Sequence, residues 1–315
     1  MGGGVVGLLV VIAVVVVVGQ FLSGLATFSG KWPEPHSPMM GPQTGPTLTL
    51  RIAGVDEDTH DVIDSELADH LVGLNTAGTW EKKTQRLVIR MSPAPDAEEF
   101  AKKIRFGKVY SVQDNIICVS AQKAPPAPTE PVARAIYHLS LKSNWRRTEA
   151  AQALAKTTPD PQRRAEVARA LEALIDTPDG GVKQHVIEAL AVWGTPETVP
   201  LLFKLVLDPQ IGPHAIRALG RMKDPRAIEP IATGLDNFFT RGPAKEELIR
   251  FGAAAEPATV KYLEHKDWGV RLAACEVLAK IGSRQCLPAL EKATGDSNGS
   301  VANAAKEAIT AIGGR

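Results

Sequence analysis

Residues 267–290 read DWGVRLAACEVLAKIGSRQCLPAL. Lys266-Asp267 marks a helix start, the stretch to Gly282 is a helix with an Ala-rich face, and a second helix follows with Pro288 near its beginning. A proline in the first turn costs little, because that N–H has no partner within the helix anyway. The same pair of helices recurs along the C-terminal half with a period of about 30 residues. Further copies of the first helix are RTEAAQALAK at 147–156, QHVIEALAVWG at 184–194, PHAIRALGRM at 213–222 and ANAAKEAITAIG at 302–313. Anchored on Leu154, Leu190, Leu219, Leu278 and Ile309, the residue eight earlier is Arg146, Val182, Ile211, Val270 or Val301. Four of the five are β-branched and apolar, which argues one shared packing role. The second helices are marked by Pro200, Pro230, Pro257 and Pro288, and Asp208-Pro209 and Asp224-Pro225 mark further helix starts.

A single helix pair of this kind cannot bury its apolar side alone, whereas stacked pairs share a continuous core between layers. Small residues such as Ala189, Ala218 and Ala274 allow the close approach that stacking needs. The segment Asp267 to Ala274, the Gly282 stop and Leu287-Pro288-Ala289-Leu290 resemble the HEAT repeat, in the short variety named after phycobiliprotein lyases. The resemblance covers residues 144–313. It implies antiparallel helix pairs and a concave wall of second helices on which such solenoids bind macromolecules. The unit from Gly242 to His265 departs from the pattern: Phe251-Gly252 stands where the Ala-Leu run is expected, and a longer connection, NFFTR at 237–241, precedes it.

At the other end of the chain, residues 4–22 read GVVGLLVVIAVVVVVGQFL, and no charged side chain occurs before Lys31. As a helix this run is about 28 Å long, close to the thickness of a bilayer's hydrocarbon core. It reads as a transmembrane anchor within residues 1–30. The alternative is a signal peptide cut near Gly24-Leu25-Ala26, against which stand the length of the run and the lack of a preceding Lys or Arg. Met1-Gly2-Gly3-Gly4-Val5-Val6 lacks the hydroxyl residue of a myristoylation signal. Only Lys31 bears on orientation, with Glu34 close by, and the reading leans to a bulk domain outside the cytoplasm. Localisation is therefore expected to be a membrane, by a single N-terminal pass.

Two Pro-rich breaks divide the remainder: KWPEPHSPMMGPQTGP at 31–46 is a spacer and KAPPAPTEP at 123–131 a linker. Between them, residues 47–122 mix periods. Strands are predicted at 47–52, 86–91, 108–112 and 116–120, with a turn at Gln113-Asp114-Asn115, and helices at 61–74 and 96–104. This order suggests a small ferredoxin-like domain. The opening LRIAGV and its helix resemble the heavy-metal-associated domain. The loop that should carry a Cys pair reads Asp56-Glu57-Asp58-Thr59-His60, so soft-metal transport is not implied. His60 and His70 lie among several carboxylates, and a solvated acidic face is the expected reading. The fold expected for the whole chain is α+β but mainly α. A transmembrane helix precedes a ferredoxin-like domain at 47–122 and an α-solenoid at 132–315.

The functional signals are sparse. Net charge is +1, so no strong field recruits nucleic acid. Arg146-Arg147 and Arg163-Arg164 lack interleaved aromatics beyond Trp145. Cys118, Cys275 and Cys286 are too few and too scattered for a disulfide framework. No P-loop, nucleophile elbow, His-Glu-x-x-His or dinucleotide fingerprint occurs. Hence no catalytic residue, cofactor or metal site is expected. Four residues beyond each second-helix proline stand Lys204, Gly234, Lys261 and Lys292, so three lysines recur in register. They are the candidate protein-binding residues. His185 and His214 occupy equivalent places in consecutive first helices and are expected to be hydrogen-bonded rather than metal-bound. The leading expectation is a membrane-anchored, non-enzymatic adaptor that binds a protein partner on the concave face of the solenoid. The alternatives are an accessory, lyase-like protein handling a chromophore or cofactor, and a structural protein organising a cell envelope. The build resembles that of membrane-tethered HEAT proteins of large-genome bacteria.

Overall fold

The computed structural model describes residues 46–314. Among these, the chain forms two compact units that meet in sequence at Ala127 and Pro128, with Leu141–Ser143 grouped with the first.

The first unit is a five-stranded sheet with two helices. In β1 (Leu48–Ala53) the alternation places Leu48, Leu50 and Ile52 in the core. Helix α1 (Glu57–Leu67) begins at Asp56, whose carboxylate accepts the Thr59 N–H at 2.9 Å. That cap starts the helix four residues before the predicted Asp61, and the chain from Ala68 to Leu74 forms turns instead of continuing it. Strand β2 (Asn75–Glu81) was not expected from sequence. It is an edge strand, pairing with β3 (Arg86–Ser92) alone, so NTAGTWE buries only Ala77 and shows little apolar alternation. Its Trp80 Nε1 donates to the Val55 carbonyl at 3.0 Å. Helix α2 (Ala97–Lys103) is capped by Asp96, and Phe100 enters the core. Strands β4 (Gly107–Gln113) and β5 (Ile116–Ala121) form a hairpin through Asp114 and Asn115. Both turn residues have positive φ, 50° and 57°, as the tight two-residue hairpin turn requires.

The strand order is β2-β3-β1-β5-β4. The ferredoxin-like expectation is not supported. That unit has four strands in the order βαββαβ, whereas here a fifth strand, β5, inserts between β4 and β1 and runs parallel to β1. The coarser reading, a small α+β unit ahead of helical repeats, holds.

The expected membrane localisation is corrected here. No helix among the described residues is long and apolar enough to cross a membrane. The run at 4–22 on which that expectation rested, and all of the linker at 31–46 except Pro46, lie outside the described residues.

The second unit opens with α3 (Pro131–Ser140) and then stacks helix pairs. The first helices are α4 (Asn144–Lys156), α6 (Gly180–Trp193), α8 (Gly212–Met222), α10 (Phe238–Phe251), α12 (Trp268–Ile281) and α14 (Gly299–Gly313). The second helices are α5 (Arg164–Glu172), α7 (Thr198–Phe203), α9 (Ile228–Thr233), α11 (Glu256–Val260) and α13 (Leu287–Ala293). Each first helix packs on the next. Side-chain caps start α6, α10, α12 and α14: Asp179 accepts the Val182 N–H at 2.9 Å and Asp267 the Val270 N–H at 3.0 Å, whereas α8 begins at Ile211 without one. The repeated Leu154, Leu190, Leu219 and Leu278 are buried, as are Val182, Ile211, Val270 and Val301 eight residues before their anchors. Arg146, the odd member of that column, is buried too, with its guanidinium 2.8 Å from Glu149 and stacked over Trp145. Trp193, fully buried, donates its Nε1–H to the Leu154 carbonyl at 2.8 Å and so ties α6 to α4. The departing fourth unit keeps its place in the stack through α10, but its second helix is cut to five residues and flanked by 3₁₀ turns at Gly252–Ala255 and Lys261–Glu264.

Candidate functional site

The register of lysines comes out as a ladder between units. Lys261 Nζ lies 2.5 Å from Glu229 Oε1, and Lys292 Nζ lies 2.5 Å from Glu264 Oε1. In each case a lysine in or just after a second helix reaches a carboxylate of the preceding unit, Lys261 and Glu264 both lying in the 3₁₀ turn that follows α11. The hydrogen bond from Lys292 holds the Glu264 carboxyl below its usual range. These pairs are exposed and hence weak individually. Lys204 differs: it is exposed and has no ion-pair partner among the described residues. The sequence register thus brings Lys261 and Lys292 into one repeated arrangement and leaves Lys204 apart from it. A pocket of about 660 Å³ lies between the last units, lined in part by Lys261, Glu264, Lys292 and the Arg271–Asp296 pair. The Arg271 fork grips Asp296 at 2.6 and 2.8 Å, which makes it a structural clasp.

His185 and His214 do converge, on a carboxylate that the sequence reading overlooked. His185 Nδ1 lies 3.1 Å from Glu188 Oε2 and His214 Nδ1 lies 3.6 Å from Glu188 Oε1. Gln184 donates to Oε1 at 3.1 Å, and Gln152 approaches the far nitrogen of His185 at 3.1 Å. Burial pushes the Glu188 carboxyl up. The hydrogen bonds from Gln184 and His185 outweigh it and hold the group below its usual range. The missed signal was the spacing: Glu188 is three residues after His185, on the same helical face. In the first unit, His60 stacks on Trp80 with centroids 4.6 Å apart and faces Asp64 at 3.5 Å, while His70 meets the edge of Phe100. Among the described residues, no group of three or more His, Cys, Asp or Glu is disposed to hold a metal. Cys275 and Cys286 are buried free thiols, and burial pushes the Cys275 pKa up to about 11.

The apolar edge near Lys204 was also missed. Phe203 and Leu207 are exposed around the end of α7, and Phe238 and Phe239 are 80% and 60% exposed at the start of α10. Asn237 Nδ2 donates to the Leu207 carbonyl at 3.1 Å, which fastens the two segments together. The rings of Phe238 and Phe239 meet edge to face at 5.7 Å. Trp268 occupies the first position of α12, as Phe238 does in α10, and is half exposed. The longer NFFTR connection therefore carries aromatic side chains outward instead of into the core.

The family model described as HEAT repeats matches residues 167–238 and 240–310, so this part of the chain is similar to HEAT repeats. Two crystal structures of engineered proteins are similar to it, each 21% identical. One is matched over 59% of this chain and 98% of its own, with a TM-score of 0.38. The other is matched over 58% of both chains, with a TM-score of 0.36. Human deoxyhypusine hydroxylase in complex with glycerol is 17% identical over 58% of this chain and 85% of its own, with a TM-score of 0.29. A comparison with curated protein sequences finds no match.

Proposed function

We propose that this chain is a non-enzymatic scaffold whose HEAT repeats hold a protein partner. The observation that supports it is the exposed edge of Phe203, Leu207, Phe238 and Phe239. Trp145, Ile249 and Trp268 are also exposed in this unit, but Phe203, Leu207, Phe238 and Phe239 lie on two segments fastened together, and an exposed cluster of large apolar side chains marks an interaction surface. Lys204 directly follows Phe203 and brings an unpaired cation to the rim, where charge steers association more than it adds affinity. The partner is expected along the second-helix wall, entering at this edge, with Lys204, Lys261 and Lys292 on its path.

The test is capture by the full chain from its native extract, beside a Phe238→Ser/Phe239→Ser variant. Both side chains are exposed, so the variant should fold normally. Proteins held by the wild type and lost by the variant support the reading, and an unchanged captured set overturns it.

A further inference from the structure

Three residues that break the repeat register meet in one pocket. Counting from the buried leucines of the first helices, the residue just before is Ala153, Ala189, Ala218 or Val277, yet Glu247 in α10. The residue four beyond is Gly194, Gly252 or Gly282, with Thr158 after α4 and Lys223 after α8 as the two departures. The residue one beyond is Ala155, Ala191 or Ala279, with Gly220 in α8 and Ile249 in α10 as the two departures. Gly220, Lys223 and Glu247, with Arg221, Arg250 and Phe251, line a pocket of about 430 Å³. Each substitution carries a local cost: a charge at a buried position, a glycine inside a helix, and a lysine at φ 54°, where glycine sits freely.

Their joint result is a receptor for negative charge. Glu247 is buried, and its Oε1 accepts from Arg250 Nη1 at 2.6 Å, which fixes a guanidinium whose head is two-thirds exposed. Arg217 and Arg221 act on the Glu247 carboxylate through space, and neither they nor Lys223 closes an ion pair among the described residues. Arg221 also lines a second pocket, of about 340 Å³, with Arg217 and His214. One basic strip therefore runs along α8 through both pockets, with Glu188 of α6 lining the second.

We propose that this strip binds an acidic peptide segment of a partner protein, its carboxylates facing Arg221, Lys223 and Arg250. The inference adopts the scaffold reading but places contact on the first helices, away from the Phe238 edge. From α6 to α10 is about two interhelical spacings, or roughly 16–20 Å, which an extended segment of about five or six residues spans. Glu188 lines the end of the strip and repels anions there, so the peptide's carboxylates are expected only at its centre, opposite Arg221, Lys223 and Arg250, and a continuous row of phosphates fits worse.

The probe is a fluorescein-labelled hexapeptide of alternating Glu and Ala, read by anisotropy on the full chain at low salt. An otherwise identical Gln and Ala peptide and a single-stranded DNA 12-mer serve as comparisons. The Glu peptide should bind, weaken with salt, and exceed the Gln peptide by about tenfold. Arg221→Glu/Lys223→Gly should lose about tenfold; glycine at 223 restores the residue of the neighbouring units, so folding is preserved. Arg221→Gln alone should lose about threefold and gives a milder reading of the same site. Equal binding of the Gln peptide, an unchanged double variant, or preference for the DNA overturns the proposal. The Phe238→Ser/Phe239→Ser chain should still bind the Glu peptide. A failure of the apolar edge is thereby separated from a failure of this groove.

Discussion

Gly220 on α8 leaves the space that the carboxylate of Glu247 on α10 fills; a Cβ at residue 220 would overlap Glu247 Oε2. The two positions are therefore coupled across adjacent repeats, as expected where each unit touches only its neighbours. Gly220→Ala in the wild type should destabilise by about 1–3 kcal/mol, since the carboxylate must leave its place. In a Glu247→Ala background the space is empty, and the same change should stabilise by about 0.5–1 kcal/mol through helix propensity. Urea denaturation of the four chains measures the sign change. Additive effects would show that the two side chains do not share this space.

The column of repeated leucines makes a second prediction. Leu190 and Leu278 are wholly buried between layers, with Ala and Val side chains packed around them. Leu→Ala at either should cost about 2–5 kcal/mol. Hydrogen exchange should show the loss of protection greatest in the flanking helices, α4 and α8 for Leu190, α10 and α14 for Leu278, and least at the far end of the stack.

The two unusual glutamates of the first helices should leave opposite marks on acid stability. The folded Glu188 carboxyl lies below its ordinary value of 4.5, so its contribution is present above that value and is lost as pH falls through the folded pKa. Burial raises Glu247 above 4.5 despite the neighbouring Arg250, so its contribution is present in acid and is lost as pH rises through the folded pKa. Melting temperatures between pH 3.5 and 7.5 should thus show a shallower acid loss in Glu188→Gln. Glu247→Gln should gain more at pH 7 than at pH 4. Parallel curves for the two variants would contradict both assignments.

How far the sequence speaks depends on whether a signal repeats. The solenoid was legible because Leu154, Leu190, Leu219 and Leu278 recur with β-branched partners eight residues earlier, and repetition averages out local exceptions. In the first unit, β1 alternates and the interior strand β3 carries the apolar run Leu87-Val88-Ile89, whereas β2 is a polar edge strand whose pairing is fixed by β3 and not by its own pattern. The insertion of β5 beside β1 is a tertiary choice with no local mark, so the ferredoxin-like reading had nothing to correct it. Candidate sites fared the other way. Aligning repeats for what they share singled out Lys204, Lys261 and Lys292. The pocket around Glu247 is visible only by asking which residues break the pattern, and the partner of His185 and His214 only by reading three residues along the helix.

The lysine register itself supplies the last prediction, because its members are not equivalent. Lys261 and Lys292 each face a carboxylate of the unit before, Glu229 and Glu264, while Lys204 faces none among the described residues. Lys261→Glu and Lys292→Glu would place like charges opposite each other on successive units. Each should lower the melting temperature slightly at low salt, and the difference should shrink as salt screens the repulsion. Lys204→Glu should leave the melting temperature unchanged at every salt concentration. It should instead slow association with the captured partner at low salt, since it removes a cation at the rim of the Phe203 and Phe238 edge. A triple variant should stay folded, since no core volume changes. If Lys204→Glu alone leaves capture intact while the triple variant abolishes it, the ladder residues carry the contact as well. If the triple variant captures the same partner at the same rate and salt dependence, the second-helix wall has no part in binding.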